Sequence, residues 1–180
     1  MKTKITYLIT LLFLSLTAAS AQNEKDLETL SIFSELVKAK NYTAAYSPWM
    51  ELRTRNPKFN KAIFIYGERI LDYKIDNSEG EEKINFIKDL LKLWKERKAV
   101  FPNVTPTGAY LAKACQLEYE YRSLLSKTKS ALYAAFDNAY TTDSKTFTNP
   151  KSLYTYFSLM VDLYDESQKT AQELFSKYDD

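Results

Sequence analysis

Cys115 is the one thiol in the chain, and no histidine accompanies it anywhere. A cysteine nucleophile needs a neighbouring base to hold it as thiolate. Without His, both that base and the commonest metal ligand are missing. Cys115 lies among apolar residues at helical spacing, so a buried thiol is expected. Two carboxylate groups have the composition of an acid–base pair or a cation site: Glu118 with Glu120, and Glu79 with Glu81 and Glu82. Glu118 and Glu120, like Glu81 with Glu79 or Glu82, lie one or two apart and do not share a helix face, and both groups read as solvated surface. The stretch Asp76 to Glu82, DNSEGEE, is acidic like a calcium loop but lacks its alternating ligands through position twelve, and reads as a turn. Only 3 glycines are present, which excludes phosphate-cradling loops of the GxGxxG or GxxxxGK type. The expectation is a protein without catalytic residues, metal or cofactor, and not an enzyme.

The amino terminus addresses the chain to a compartment. Lys2 and Lys4 precede an apolar run from Ile5 to Leu16 that is too short to span a bilayer, and Ala19-Ser20-Ala21 supplies a small-x-small cleavage site. Residues 1–21 therefore read as a secretory signal peptide, and the protein as exported, periplasmic or secreted. No Cys follows the cut, so a lipid anchor is not expected. The remaining 159 residues carry 23 basic and 23 acidic side chains. Zero net charge without a basic run argues against nucleic acid as a partner. No membrane span is expected after signal cleavage. One cysteine allows no intrachain disulfide, so stability must come from packing. A hydrophobic share of 45% with 3 Gly and 5 Pro fits a folded, nearly all-helical chain with short turns.

The apolar periodicity sets out eight helices. They run over Glu24 to Lys40, Thr43 to Arg55, Phe59 to Ile75, Glu81 to Phe101, Pro106 to Arg122, Thr128 to Thr141, Pro150 to Asp165 and Ser167 to Tyr178. In the second, Ala45, Trp49 and Leu52 share one face, Asn41 serves as turn or cap, and Asn56-Pro57 ends the helix. Gly67 inside the third helix costs about 1 kcal/mol against Ala, which suggests a close helix crossing there. Trp94 precedes Pro102 by eight positions, as Trp49 precedes Pro57, and the two copies lie 45 residues apart. The sets Tyr66-Gly67-Ile70, Leu111-Ala112-Cys115 and Phe157-Ser158-Val161 recur as apolar, small, apolar. Tyr73, Phe136, Phe157 and Tyr164 fall in apolar stripes and are expected in the core.

The order Asn-Tyr, Ala, large aromatic and Pro over Asn41 to Pro57, with Ile32 and Leu36 upstream, resembles the tetratricopeptide repeat (TPR). Phe33 and Thr29 depart from its usual residues. The resemblance covers most of the chain after the signal peptide, with a second unit expanded beyond the 34 residues of the repeat. It implies an all-α domain over residues 22–180, with antiparallel helix pairs stacked as a short, TPR-like right-handed solenoid. It also implies an exported bacterial scaffold that binds a protein or peptide partner of the cell envelope in a concave groove, without catalysis. The groove residues that it implies are Phe64, Glu68, Tyr110, Lys113, Gln116, Tyr156 and Asp162. Exposed Tyr beside charge suits peptide contact, and suits a glycan- or small-ligand-binding helical module as the alternative. No polar capping helix closes the series, so the expectation is either a fragment of a longer repeat array or a C-terminal helix that packs on a partner, such as a second copy in a homodimer.

Overall fold

The computed structural model describes residues 22–179, all of them in helices and short connections with no strand among them. The expected signal peptide lies outside the described residues. Eight α-helices are present: α1 over 22–38, α2 Tyr42–Arg55, α3 Ala62–Asp76, α4 Gly80–Val100, α5 Thr107–Glu120, α6 Lys129–Thr142, α7 Pro150–Asp165 and α8 Ala171–Asp179. A 3-10 turn, Pro102–Val104, joins α4 to α5.

The boundaries follow from side-chain caps. Asn41 accepts from the Ala44 N–H, Thr128 from Ala131 and Asn149 from Ser152, each giving an orphan donor of a first turn its partner. Two helices begin later than the apolar period suggests. Asn60 accepts from the Ala62 N–H at 2.9 Å, so α3 starts at Ala62 rather than Phe59. Ser167 takes a left-handed φ of 59° and Thr170 accepts from the Glu173 N–H, so α8 starts at Ala171 rather than Ser167.

The chain divides into two compact units at Lys74/Ile75. In the first, the Trp49 indole is fully buried and donates to the Ile63 carbonyl at 2.7 Å. It lies against Gly67 so closely that a Cβ there would sit 2.5 Å from the ring. This is the close crossing that a glycine inside a helix suggests, and it joins α2 to α3. The same unit buries a charge: Asp26 is fully enclosed and accepts from Arg55 Nε at 2.9 Å, Asn56 Nδ2 at 2.8 Å and Gln22 Nε2 at 3.0 Å. Burial by itself would raise the Asp26 pKa, and the hydrogen bonds from Asn56, Arg55 and Gln22 outweigh it and hold the carboxyl below its ordinary value. That node ties α1 to the end of α2.

The second unit is built on an aromatic cluster, in which Phe136 stacks on Tyr156 with ring centroids 6.1 Å apart and meets Phe147 edge-on at 6.3 Å. Ala112, Cys115, Leu132, Ala139 and Leu159 complete it. Phe147 comes from the connection between α6 and α7, outside any periodic stripe. Its segment is fixed because the Gly108 N–H, at the start of α5, donates to Asp143 Oδ2 at 3.0 Å and to Thr146 Oγ1 at 2.9 Å. A Cβ on Gly108 would meet the Asp143 carbonyl at 2.1 Å.

Two stripes differ from the sequence expectation. On α7 the buried face is Ser152, Thr155, Tyr156, Leu159, Met160 and Leu163, while Phe157, Ser158 and Val161 are only half-buried and Tyr164 is exposed. The polar start of that face escapes a purely apolar period because the Ser152 hydroxyl donates to the Ala112 carbonyl at 3.2 Å, which makes its burial affordable in hydrogen bonds. On α3 the buried face includes both Ile63 and Phe64, together with Ile70, Leu71 and Ile75, while Tyr73, expected in the core, is half-buried.

Candidate binding cleft

The sequence-derived groove residues scatter in environment. Phe64 is 1% and Tyr156 4% exposed, so both rings belong to packing and offer no surface to a partner. Gln116 is 9% exposed, donates through Nε2 to Glu120 at 3.1 Å, and keeps its Oε1 buried without a hydrogen bond among the described residues. Glu68, Tyr110 and Asp162 are half-buried, and Lys113 is exposed with its ammonium 5.7 Å from the centre of the Trp94 ring. Asp162 pairs with Lys129 at 3.3 Å. Tyr110 and Lys113 thus share one partly open face of α5, one turn apart.

The candidate chemistry of Cys115 closes in the same way. The thiol is buried in the aromatic cluster, where burial first and the Glu118 carboxylate second push its pKa up to about 12. At neutral pH it is a packing group. Among the described residues no group of three or more His, Cys, Asp or Glu gathers as a metal site, and no described helix is long and apolar enough to cross a membrane.

A cleft of about 530 Å³ opens beside α6 in the second unit. One wall is a continuous face of that helix, Ser130, Tyr133, Ala134, Asp137, Asn138 and Thr141, at the three- and four-residue spacing that brings side chains to one side. The other wall is Leu163 of α7 with Gln168 and Lys169 from the α7–α8 corner. The opposite face of α6, Leu132, Phe136 and Ala139, enters the aromatic cluster and fixes the helix in place.

Internal contacts set the electrostatics of these walls. Asp137 accepts from the Tyr156 hydroxyl, and burial followed by this carboxylate raises the Tyr156 pKa, so the phenol stays protonated. Lys169 donates to Glu173 Oε1 at 2.7 Å, which raises the pKa of the lysine. Lys169, and then the backbone and hydroxyl of Thr170, hold Glu173 down at about 2. Tyr133 is covered on its ring by two neighbours: the Lys169 ammonium lies 5.5 Å from its centroid, and the Tyr156 ring also lies at 5.5 Å. Ser130 donates to Gln168 Oε1 at 2.7 Å across the cleft, and Lys129 pairs with Glu166 beside it. The Asn138 carboxamide makes no hydrogen bond among the described residues and stands exposed. A cleft of this size lies within the range of ligand sites, and its lining offers carboxamide and hydroxyl groups with no activated nucleophile.

Sequence reasoning missed this cleft because its α6 face carries none of the marks of a motif. A signal was present: Ser130, Ala134, Asn138 and Thr141 form a small, polar stripe on a helix whose other side is strongly apolar. No protein-family model, curated protein or solved structure matches the chain.

Proposed function

We propose that the protein is an exported, non-catalytic helical binding protein that holds a segment of another cell-envelope protein in the cleft beside α6. The cleft carries this reading: its α6 face presents the exposed Asn138 carboxamide and the Thr141 hydroxyl, groups that pair with any peptide backbone, while the Gln168 carboxamide opposite is held by Ser130 and Glu166. Export rests on the basic, apolar and small-x-small order of residues 1–21. The TPR-like stacking of helix pairs is part of the same proposal, and the seating of Trp49 on Gly67 supports it for α2 and α3, since a small residue there lets two helices approach. A glycan ligand is the weaker alternative. Sugar rings are usually held on an open aromatic face, and the Tyr133 ring is covered by Lys169 and Tyr156.

The test is affinity purification of the tagged full chain from envelope extract after mild crosslinking, with two paired variants. Asn138→Ala with Gln168→Ala alters the cleft, and Tyr110→Ala with Lys113→Ala alters the open face of α5. A partner recovered in near-equal amount with the native chain, lost in the first pair and retained in the second, is the expected result. Loss only in the second pair moves the site to α5. Recovery of no protein at all sinks the reading of a protein partner.

A further inference from the structure

We infer that two copies of the chain dock through the outward face of α7, as an antiparallel pair of α7 helices related by a two-fold axis near Ser158. This pairing leaves the cleft beside α6 accessible, because Leu163, the α7 residue in its wall, belongs to the opposite, buried face.

α7 is apolar on two sides. It buries Tyr156, Leu159, Met160 and Leu163 in its own unit. On the other side Leu153, Phe157, Val161 and Tyr164 follow at spacings of four, four and three, and Tyr154 lies one turn before Phe157, so a second stripe runs along the helix. Tyr154 is 75% exposed, Leu153 and Tyr164 are exposed as well, and Phe157 and Val161 are half-buried. A helix that is apolar all round belongs in an interior, and the described residues do not supply the cover on this side.

Charge identifies the cover as a second copy. Lys151 stands in the first turn of α7 and Asp165 at its end, fourteen positions apart and therefore on one face, beside the stripe. This order opposes the helix dipole, which favours acid at the start and base at the end. In an antiparallel pair Lys151 of each copy meets Asp165 of the other, so both unfavourable ends are offset at once. The Asp165 carboxylate is exposed and makes no ion pair among the described residues. The Lys151 ammonium, exposed and 2.6 Å from Glu120, keeps further N–H donors.

The apolar residues obey the same symmetry. Ser158 is the midpoint between Lys151 and Asp165, and about it Tyr154 faces Val161 and Leu153 faces Tyr164 of the other copy. Ser158 itself is small and lets the two helix axes approach. A two-fold contact requires this reciprocity, in which one residue meets a second and the second meets the first.

The experiment is sedimentation equilibrium of the full chain after signal cleavage, from about 1 to about 100 μM, where a specific homodimer is expected. Tyr154→Ser removes two rings from the contact by symmetry and should weaken the dimer about a hundredfold, with helicity by circular dichroism unchanged because the ring is exposed. Lys151→Glu and Asp165→Lys should each weaken it about tenfold, and mixing the two variants should restore it, since every junction of the mixed pair again holds one acid and one base. A chain that stays monomeric at the highest concentration overturns the inference. A dimer indifferent to both charge variants, or one that their mixture does not restore, overturns the antiparallel register. Loss of the dimer in Phe175→Ser, with Tyr154→Ser inert, moves the contact to α8 and overturns it equally.

Discussion

The indoles of Trp49 and Trp94 occupy equivalent sequence positions, each eight residues before a proline, yet the two halves of the chain treat them differently. Trp49 is fully enclosed, donates to the Ile63 carbonyl and rests on Gly67. Trp94 is 8% exposed, its Nε1 makes no hydrogen bond among the described residues, and a lysine ammonium covers its ring. The contrast extends to whole units. Up to Lys74 the chain is fastened by specific polar nodes, the Trp49 donor bond and the Asp26 carboxylate. From Ile75 it is fastened by an aromatic cluster together with the Gly108 donor bonds to Asp143 and Thr146, and α6 presents a polar face beside Lys169. A repeat in sequence therefore need not carry a repeat in energetics.

Breaking the aromatic cluster should give the largest effect. Phe136→Ala removes a ring that touches Phe147 and Tyr156, and a cavity of that size costs about 3–5 kcal/mol. Urea denaturation read by hydrogen exchange should locate the loss in peptides after Ile75. Exchange rising equally before Lys74 would show that the two units share one cooperative core.

In the first unit, Gly67→Ala drives a methyl group against the buried Trp49 ring, an overpacking of roughly 1–3 kcal/mol. Trp94→Phe leaves Trp49 as the sole indole, and its emission should shift to the red at lower urea in Gly67→Ala. An unchanged midpoint would mean that α2 and α3 separate without cost. Asp26→Ala should destabilise the same unit by about 2 kcal/mol, less than the 3–5 of a fully buried pair because Arg55 keeps Glu51 as a partner.

Acid acts on both units with the same sign. The folded pKa of Asp26 lies below its ordinary 3.8, so its contribution is complete above that value and is lost as pH falls through it towards the lower folded value. Glu173 follows the same sign: its hold on Thr170 and Lys169 is present above 4.5 and is lost as pH falls towards about 2. Acidification should thus loosen the α1–α2 junction, fray the start of α8 and weaken the end of α6. There Thr146 and the Gly108 N–H hold the Asp143 carboxyl below its ordinary value. Leu132 and Phe136, earlier in α6, keep their protection. Exchange rates at Leu132 and Phe136 rising together with those of α8 would contradict this. The smallest effect belongs to Lys129→Ala, because its exposed pairs to Asp162 and Glu166 are screened by solvent. A melting temperature lowered by many degrees would show that the α7–α8 corner matters more to stability than its exposure implies.

Much of this architecture was legible in the residues. Period and caps give α2, α6 and α7 within a residue of their observed ends, because Asn41, Thr128 and Asn149 act locally. Gly67 announced its crossing, since a helix tolerates glycine at a cost that only close approach repays. The starts of α3 and α8 were less legible: Asn60 and Thr170 are short polar residues inside otherwise periodic stretches, and a cap is visible only once its acceptor is seen to bind. The groove residues were least legible. Tyr156 and Phe64 were placed by resemblance to a repeat, while burial is decided by which neighbours a face meets.

What the sequence determined by itself is therefore the helical class, the helix boundaries set by local caps, the burial of Cys115 and the expectation of export. The boundaries follow from interactions among residues close together in the chain, and the other three were read from local composition and period. Only the tertiary structure decided that Phe147 joins the core from a loop, that Ser152 is buried because Ala112 offers a carbonyl, and that α6 keeps one polar face open beside Lys169. Each of these depends on a contact between residues tens of positions apart. The local pattern fixes which side of a helix is apolar, but not what the other side will face.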